Sequence, residues 1–188
     1  MGPKDKSKDI LAILKEMGEV FHHFQKETQL ECLSGCGKCC LFPDIESTPL
    51  ECLPLVYDFY SRGELDSLKA RIESSTLTCA MWEGNTESGK GQCTAYEVRP
   101  SICRMFGVSG YFDKNRKVTL SVCKLIKENS PHQIWTSNQN RTADNTPMMA
   151  HWYTRIQTLG NADDLRRLPI NDAIFEAIKI VELYSQYE

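Results

Sequence analysis

Apolar residues recur at helical spacing near the start of the chain. Five residues form this stripe, at intervals of four, three, four and three: Ile10, Leu14, Met17, Phe21 and Phe24. Such spacing places them on one face of an α-helix, so the pattern predicts an amphipathic helix over residues 10–24, with Ser7 as its N-cap. We expect its apolar face to pack against a core or against a partner protein.

Three further helix starts share one signature, a hydroxyl residue followed by proline. They are Thr48-Pro49, Ser130-Pro131 and Thr146-Pro147. The hydroxyl can cap the helix and proline suits its first position, and Glu51 and Gln133 complete capping boxes at the first two sites. Pro54 predicts a kink or a restart within the first of these helices. The predicted buried face of that helix consists of Leu53, Val56, Tyr57 and Tyr60.

The centre of the chain has shorter patterns. A helix is predicted over residues 65–72, whereas the polar, glycine-rich segment EGNTESGKGQ, residues 83–92, is typical of an exposed loop. Residues 106–122 predict a β-hairpin with its turn at residues 113–116. The residues that alternate on one face of its second strand are Val118, Leu120 and Val122. Residues 136–145 predict another polar loop.

Two helices close the chain, at about residues 147–159 and about residues 172–184. Their predicted buried faces are Met149, Trp152, Tyr153 and Ile156 in the first, and Ile174, Phe175, Ile178, Val181 and Tyr184 in the second. The predicted fold class is mainly α with a small β-hairpin, with a loop-rich centre held by metal between N-terminal and C-terminal helices. We divide the chain into an N-terminal amphipathic helix (1–29), a cysteine-cluster metal-binding domain (30–127) and a C-terminal helical segment on the same core (128–188).

Charge and composition argue against several classes of protein. The chain has 188 residues and a formal net charge of −3, so no overall basic field favours nucleic acid or anionic lipid. No run of about 18 apolar residues predicts a membrane span. Because the N-terminal segment lacks the continuous apolar stretch of a secretory signal, we expect a cytoplasmic protein.

Nine cysteines are the main chemical feature of the sequence. Cytoplasmic thiols stay reduced, so a dense cysteine pattern there favours metal binding or redox chemistry over a disulfide framework. The count is odd, and the adjacent Cys39 and Cys40 could pair with each other only through a strained ring. We therefore favour metal ligands, with a redox pair and disulfides as the open alternatives.

Eight of the nine cysteines make two full sets of four thiolates, the number that zinc, iron and iron–sulfur clusters take. They are Cys32, Cys36, Cys39, Cys40, Cys79, Cys93, Cys103 and Cys123. Gly37 allows a tight turn between Cys36 and Cys39. Neighbouring side chains on an extended backbone point in opposite directions, so Cys39 and Cys40 fit two different ions, or one of them bridges. We predict two nearby sites for zinc, with iron or an iron–sulfur cluster as the alternative.

The residues around these cysteines are less informative. Four basic residues flank the predicted ligands and either offset thiolate charge or are ordinary surface charges: Lys38, Arg99, Arg104 and Lys124. His22 and His23 are weak candidate ligands, because no cysteine lies at helical spacing from them. Cys52 stands apart from the cluster on a predicted helix, where a free cysteine is usually a small core residue.

Nucleotide binding is not expected, although residues 84–90 spell GxxxxGK. A P-loop needs Ser or Thr next, where Gly91 stands, and it needs a preceding buried strand and a following helix. The motifs of zinc deaminases, zinc proteases and serine hydrolases are absent from the sequence.

The ordered set of cysteine motifs resembles the YkgJ-type cysteine-cluster proteins, described as a zinc- or iron-chelating domain. The set comprises CGKCC, a Thr-Pro helix start, C-x-x-W, C-x-x-Y-x-x-RP-x-x-CR-x-F and a last cysteine, and it covers residues 30–127. The resemblance implies that seven of the eight cysteines are family cysteines. Cys32 corresponds too, although it lies one residue further from Cys36 than is usual. A related cysteine domain occurs in flagellin lysine methylases, where iron–sulfur chemistry is suspected.

Three functions remain open at this stage, and whether the chain is an enzyme stays undecided. The favoured one is a metal-binding protein whose cysteines hold zinc for structure, storage or delivery. The second is an iron–sulfur protein that acts as a redox accessory or modifies other proteins, as a methylase does. The third is a metal-stabilised interaction module that binds a protein partner through its terminal helices.

Overall fold

The computed structural model describes residues 1–42, 44–75, 77–139 and 141–186. Its helices are α1 (Pro3–Thr28), α2 (Pro49–Ser61), α3 (Leu65–Ser74), α4 (Ser101–Met105), α5 (Lys124–Asn129), α6 (Pro131–Ser137), α7 (Met149–Gln157) and α8 (Ile170–Ser185). Its strands are β1 (Glu46–Ser47), β2 (Trp82–Asn85), β3 (Lys90–Cys93), β4 (Val108–Phe112), β5 (Val118–Val122) and β6 (Leu168–Pro169). The strands pair antiparallel as β1–β6, β2–β3 and β4–β5. The predicted class, mainly α with small β-hairpins, is confirmed.

The N-terminal helix α1 is longer than its apolar stripe. All five stripe residues are buried, as predicted, but the helix begins at Pro3. Proline suits that first position because its missing N–H would have no partner there. Ser7 is therefore a buried residue within the helix, and its prediction as N-cap is wrong. Gln29 ends the helix with a left-handed φ of 58°.

Helix α2 begins where the sequence predicts. Thr48 caps it, because its Oγ1 accepts a hydrogen bond from the backbone N–H of Glu51. The other half of the predicted capping box is not formed, since the Glu51 carboxylate instead accepts hydrogen bonds from Ser47 and Ser101. The helix runs through Pro54 without the predicted restart. Tyr60 is exposed, contrary to the predicted buried face, whereas Phe59 beside it is buried.

The other two hydroxyl–proline pairs predict the start and cap of their helices less well. Helix α6 begins at Pro131 as predicted, but Ser130 makes no side-chain cap. Helix α7 begins at Met149 rather than at Pro147. The reason is a competing partner: the carbonyl of Pro147 accepts a hydrogen bond from the N–H of Gly110 in β4, which keeps this stretch extended. The helix predicted over residues 65–72 is confirmed as α3.

Two hairpins flank the cysteine segments. The predicted β4–β5 hairpin is confirmed, with Val118, Leu120 and Val122 buried. Residues 83–92, predicted to be an exposed loop, form most of the second hairpin, β2–β3, whose register pairs Trp82 with Cys93. One face of this hairpin is exposed, and the other carries Trp82, Gly84, Gly91 and Cys93, of which all but Gly84 are half-buried. Because two of those four residues are glycines, the sequence shows no apolar alternation there. The loop predicted at residues 136–145 begins after α6, which extends to Ser137, and Asn140 in it lies outside the described residues.

The main apolar core joins both ends of the chain, and a smaller second cluster lies between the end of α1 and the β4–β5 hairpin. Helix α2 packs mainly against α8 and α1, and α7 also contacts α1. Ile174, Ile178 and Val181 of α8 are buried, as are Trp152 and Ile156 of α7. Full burial of each large side chain contributes about 1.5–3 kcal/mol. Phe175 and Tyr184 are exposed on α8, contrary to prediction. In the described ranges, no helix combines the length and apolar character that crossing a bilayer would need.

Candidate metal centre

Five separate segments bring eight cysteines to one side of the core. Cys32, Cys36, Cys39 and Cys40 belong to the loop after α1, Cys79 precedes β2 and Cys93 ends β3. Cys103 lies in the short helix α4, and Cys123 lies between β5 and α5. The segments are far apart in sequence, so their assembly depends on the fold. Cys52 lies apart on α2, fully buried with its Sγ 3.7 Å from Ser47 Oγ, which confirms its prediction as a core residue.

Backbone hydrogen bonds set the path of the first cysteine segment. The N–H of Gly37 donates to the carbonyl of Gly89 (3.1 Å) and the N–H of Gly91 to that of Gly35 (3.1 Å). The β2–β3 hairpin thus binds along the turn between Cys36 and Cys39. The next link is to Cys79, whose N–H donates to the carbonyl of Cys40 (2.9 Å). Main-chain hydrogen bonds therefore link three cysteine-bearing segments.

Seven of the eight cysteines line two adjoining spaces, and Cys123 lines neither. The larger is an open cleft of about 940 Å³ between α1 and the cysteine segments, and Cys32 and Cys36 line this cleft only. The smaller is a cavity of about 40 Å³ against the core, where Cys79 meets apolar side chains such as Leu55 and Ile174. The side chains shared by both spaces are Cys39, Cys40, Cys93, Arg99 and Cys103. These shared residues form the wall between cleft and cavity.

Electrostatic effects show which sulfurs lie close together. The Cys32 residue is exposed overall, but partial desolvation of its thiol raises its pKa, and charge on Cys123, Cys39 and Cys36 raises it further. Cys123 therefore belongs to the neighbourhood of Cys32. Burial also raises the pKa of Cys103 well above its ordinary value, and charge on Cys79, Cys93 and Cys39 adds to this.

The vicinal pair lies between these two neighbourhoods. The sulfurs of Cys39 and Cys40 are 4.0 Å apart. The hydrogen bond from Cys40 lowers the pKa of Cys39 to about 7, helped by the charge of Arg99. The same contact and burial raise the pKa of Cys40, to which charge on Cys79 and Cys103 contributes. Cys39 thus acts on thiols on both sides, whereas Cys40 faces the cavity group.

Of the four basic residues that flank the predicted ligands in sequence, Arg99 and Arg104 line the cleft. The Arg99 guanidinium stacks on the Tyr96 ring at 3.7 Å from its centroid. Arg104 supports this arrangement, because its Nε donates to the carbonyl of Arg99 (3.1 Å) and its Nη2 to that of Glu97 (2.5 Å). Lys38 packs its alkyl chain against Gly89, and the exposed Lys124 pairs with Glu128 at 3.8 Å.

Two buried N–H groups beside the cysteines indicate whether a metal–thiolate group would fit the candidate site. In the described part of the chain, the buried side-chain nitrogens without a hydrogen-bond partner are Trp82 Nε1 and Arg99 Nε. An unpaired buried donor costs about 1–3 kcal/mol, so each is expected to have an acceptor. Arg99 lines both spaces, and Trp82 pairs with Cys93 across the hairpin. Thiolate sulfur is a soft, negatively charged acceptor that also suits zinc and iron, so the donor set fits such a group.

Glycines hold the Trp82 indole tightly beneath the first cysteine segment. A Cβ on Gly37 would overlap the indole nitrogen, and a Cβ on Gly91 would lie 2.5 Å from it. Sequence reasoning assigned no role to Trp82, although its place in C-x-x-W was a usable signal. It also missed Glu51, whose Oε2 accepts from Ser101 Oγ at 2.9 Å and so anchors the helix that carries Cys103.

Side-chain rotation would be needed for ligation. Among the residues that the structure describes, no three His, Cys, Asp or Glu side chains converge at ligating geometry. The eight thiols share one neighbourhood but do not surround a point as they stand. His22 is exposed and lines the cleft, whereas His23 is exposed and does not.

A family model matches residues 31–141, more than half of the chain. The family is named CxxCxxCC and described as "Putative zinc- or iron-chelating domain". The chain belongs to this family. Metal chelation is therefore the role that membership of the CxxCxxCC family supports, for zinc or for iron. No curated protein and no solved structure matches the chain significantly.

Proposed function

We propose that this CxxCxxCC protein binds two metal ions through eight cysteine thiolates, four to each ion, with zinc as the metal. The outer group consists of Cys32, Cys36, Cys39 and Cys123, and the inner group of Cys40, Cys79, Cys93 and Cys103. The observation that carries the proposal is the position of Cys39 and Cys40 between two sets of thiols. The two residues lie in a short 3-10 helix, Lys38–Leu41, rather than on extended backbone, and their sulfurs are 4.0 Å apart. They can still serve different ions, because Cys39 acts on the outer thiol Cys32 whereas Cys40 neighbours Cys79 and Cys103.

The electrostatics of the site support metal binding over free thiols. Burial raises the pKa of Cys79 to about 11, so several thiols would stay protonated at neutral pH in the absence of a cation. Metal ligation favours the thiolate form and releases those protons. Arg99 adds a fixed positive charge beside the thiolates. When bound, zinc would supply a closed, redox-inert tetrahedral link between the segments.

Elemental analysis of anaerobically purified protein, with its visible absorption spectrum, tests the proposal. We expect about two zinc ions per chain, the number that eight thiolates fill at four per ion, and no visible colour. Iron with acid-labile sulfide and a brown absorption band would instead identify an iron–sulfur protein. Protein that holds neither metal after reconstitution would contradict both.

Substitution of single cysteines tests the ligand assignment. We expect Cys103→Ser and Cys39→Ser to lower the metal content and destabilise the fold, because each removes a thiolate from a ligand set. Cys52→Ser is the matched control and should retain the wild-type metal content, since Cys52 lies in the apolar core. Unchanged metal content in both Cys103→Ser and Cys39→Ser would refute the assignment.

A further inference from the structure

The outer and inner groups differ in which thiols face only the cleft. Cys32 is exposed and, with Cys36, lines only the open cleft of about 940 Å³. Cys79 is 6% exposed and lines only the cavity of about 40 Å³, whereas the other three inner cysteines line both spaces. A chelator in the cleft can therefore reach Cys32 and Cys36 directly, but it reaches Cys79 only past the shared side chains.

The inner group is also tied more firmly to the core. The backbone N–H of Cys79 donates a hydrogen bond to the carbonyl of Cys40. The helix that carries Cys103 is held to α2 by the hydrogen bond from Ser101 Oγ to the Glu51 carboxylate. Buried apolar side chains of the main core close the back of the cavity. Opening this group requires part of the core to separate, which is a costly local unfolding event.

Within the outer group, Cys32 has the lightest framework. Cys32 lies in a stretch without regular secondary structure, and neighbouring main-chain bonds are those of Leu30 to Gln25 and of Cys36 to Leu33. Its sulfur lies 3.0 Å from the position that a Cβ on Gly107 would occupy. Because Gly107 has no side chain, Cys32 can approach the segment that leads to β4 and to Cys123. A small displacement of residues 31–34 would open the group without disturbing the helices.

We infer that the outer group is an exchange site that releases and accepts a soft divalent cation as cargo, while the inner group keeps its ion permanently. This inference rests on the proposed two-ion function. Exchange would proceed by ligand substitution: an incoming thiolate or chelator donor forms a bond to the cation as a cysteine sulfur leaves. The cation keeps its charge, and the departing thiolate takes a proton from water. The acceptor is a thiol-bearing or chelating ligand that enters through the cleft.

Release kinetics of the zinc-loaded full-length chain test this inference. After mixing with excess 4-(2-pyridylazo)resorcinol, we expect two phases of equal amplitude, the slower by at least about tenfold because it needs local opening of the core. Cys32→Ser should abolish the fast phase and keep the slow one. Cys52→Ser should show both. Release of both ions in one phase would overturn the inference yet leave the two-ion function intact, whereas failure to bind zinc would overturn the proposed function itself.

Alkylation of the unmodified sequence gives a second test that does not depend on a variant's folding. The zinc-loaded protein is treated with iodoacetamide, and modified cysteines and bound zinc are followed by mass spectrometry. We expect Cys32, Cys36 and Cys123 to be modified as the first ion is lost, and Cys79 and Cys103 only with the second. Modification of Cys79 before Cys32, or of all five together, would overturn the inference.

Discussion

At the scale of single residues, the cysteines are the part of the site that the sequence predicts best. Thiols that recur in a fixed order are visible without a structure, and the isolated Cys52 could be separated from them. Arg99 and Trp82 could not be assigned in this way. Their importance lies in buried N–H groups without partners, a property that appears only when distant segments are packed together.

Arg99 is expected to stabilise the bound metal through its charge and its Nε–H. Arg99→Gln should weaken zinc binding by at least about tenfold, since hydrogen bonds to charged groups contribute about 1.5–3 kcal/mol. Arg99→Lys should fall between Gln and the wild type, because it keeps the charge but not the planar donor. Competition with a chelator of known affinity measures the effect.

The control for this experiment is Lys124→Gln, which removes an exposed charge next to Cys123 in sequence. It should bind zinc as tightly as the wild type, because exposed charges interact weakly through water. Equal affinities for Arg99→Gln and the wild type would show that Arg99 does not act on the metal.

Glu51 predicts a pH dependence of stability. Burial raises the pKa of this carboxyl, and hydrogen bonds from Ser101 and Ser47 offset the effect only in part. The folded protein therefore binds this proton more tightly than the unfolded chain, whose Glu pKa is about 4.3. The stability it contributes is fully present below that value and is lost as pH rises through the folded pKa.

Glu51→Gln removes this titration. Between the unfolded and folded pKa values, the free energy of unfolding of the wild type should fall with rising pH relative to that of the variant. Urea denaturation from about pH 4 to about pH 8 measures the difference. Glu73→Gln, on the exposed surface of α3, controls for the loss of one negative charge. If the free energy of unfolding of the wild type instead rose with pH relative to that of Glu51→Gln, the result would contradict a raised pKa for Glu51.

At the scale of elements, periodicity predicts the helices well and the β2–β3 hairpin not at all. Helices α1, α2, α3 and α8 pack on the core through apolar stripes, so apolar residues recur at helical spacing in their sequences. One face of the hairpin is exposed, half of the other consists of glycine, and its main-chain partners are backbone groups of Gly35 and Gly37. Such contacts leave no periodic signal. Pro147 is a second example of long-range contacts that the sequence does not reveal. Its carbonyl accepts a hydrogen bond from Gly110 in β4, and α7 therefore begins at Met149 rather than at Pro147.

The hairpin is expected to shape the first cysteine segment. A Cβ at Gly91 would lie 2.5 Å from Trp82 Nε1 and 2.6 Å from the carbonyl oxygen of Glu83. Gly91→Ala should therefore destabilise the protein by about 1–3 kcal/mol, as overpacking does, and weaken metal retention. Thermal denaturation and metal analysis measure these effects. Gly2→Ala, whose Cβ would meet nothing within 4 Å, should change neither quantity appreciably.

At the scale of the whole molecule, the cysteine segments pack against a helical core whose most deeply buried side chains come mainly from other segments. Leu14, Leu53, Ile174 and Ile178 are within 1% of complete burial and belong to helices without metal ligands. The mainly helical class could be predicted from apolar periodicity. The placement of the thiols could not, because it is set by long-range packing between the two ends of the chain.

Removal of metal should therefore act locally. With a chelator and a thiol reductant present, we expect a lower melting temperature, because ligation and folding are coupled, but retention of most of the helical far-UV circular dichroism. Returning zinc to the sample should restore the original melting temperature. Loss of most of the helical signal on chelation would show that the core cannot stand without the ions.

The packing of Arg104 against Gly18 shows that the candidate metal centre needs more of the chain than the family model matches. A Cβ at Gly18 in α1 would lie 2.9 Å from Arg104 Nη1. Because glycine has no side chain, Arg104 has room there to donate hydrogen bonds to the carbonyls of Arg99 and Glu97. The segment that defines the family, residues 31–141, contains the arginine but neither this helix nor α8. The stretch of chain that the family model matches is thus shorter than the stretch that packs together, and a fragment cut at the family limits would expose the underside of the candidate metal site.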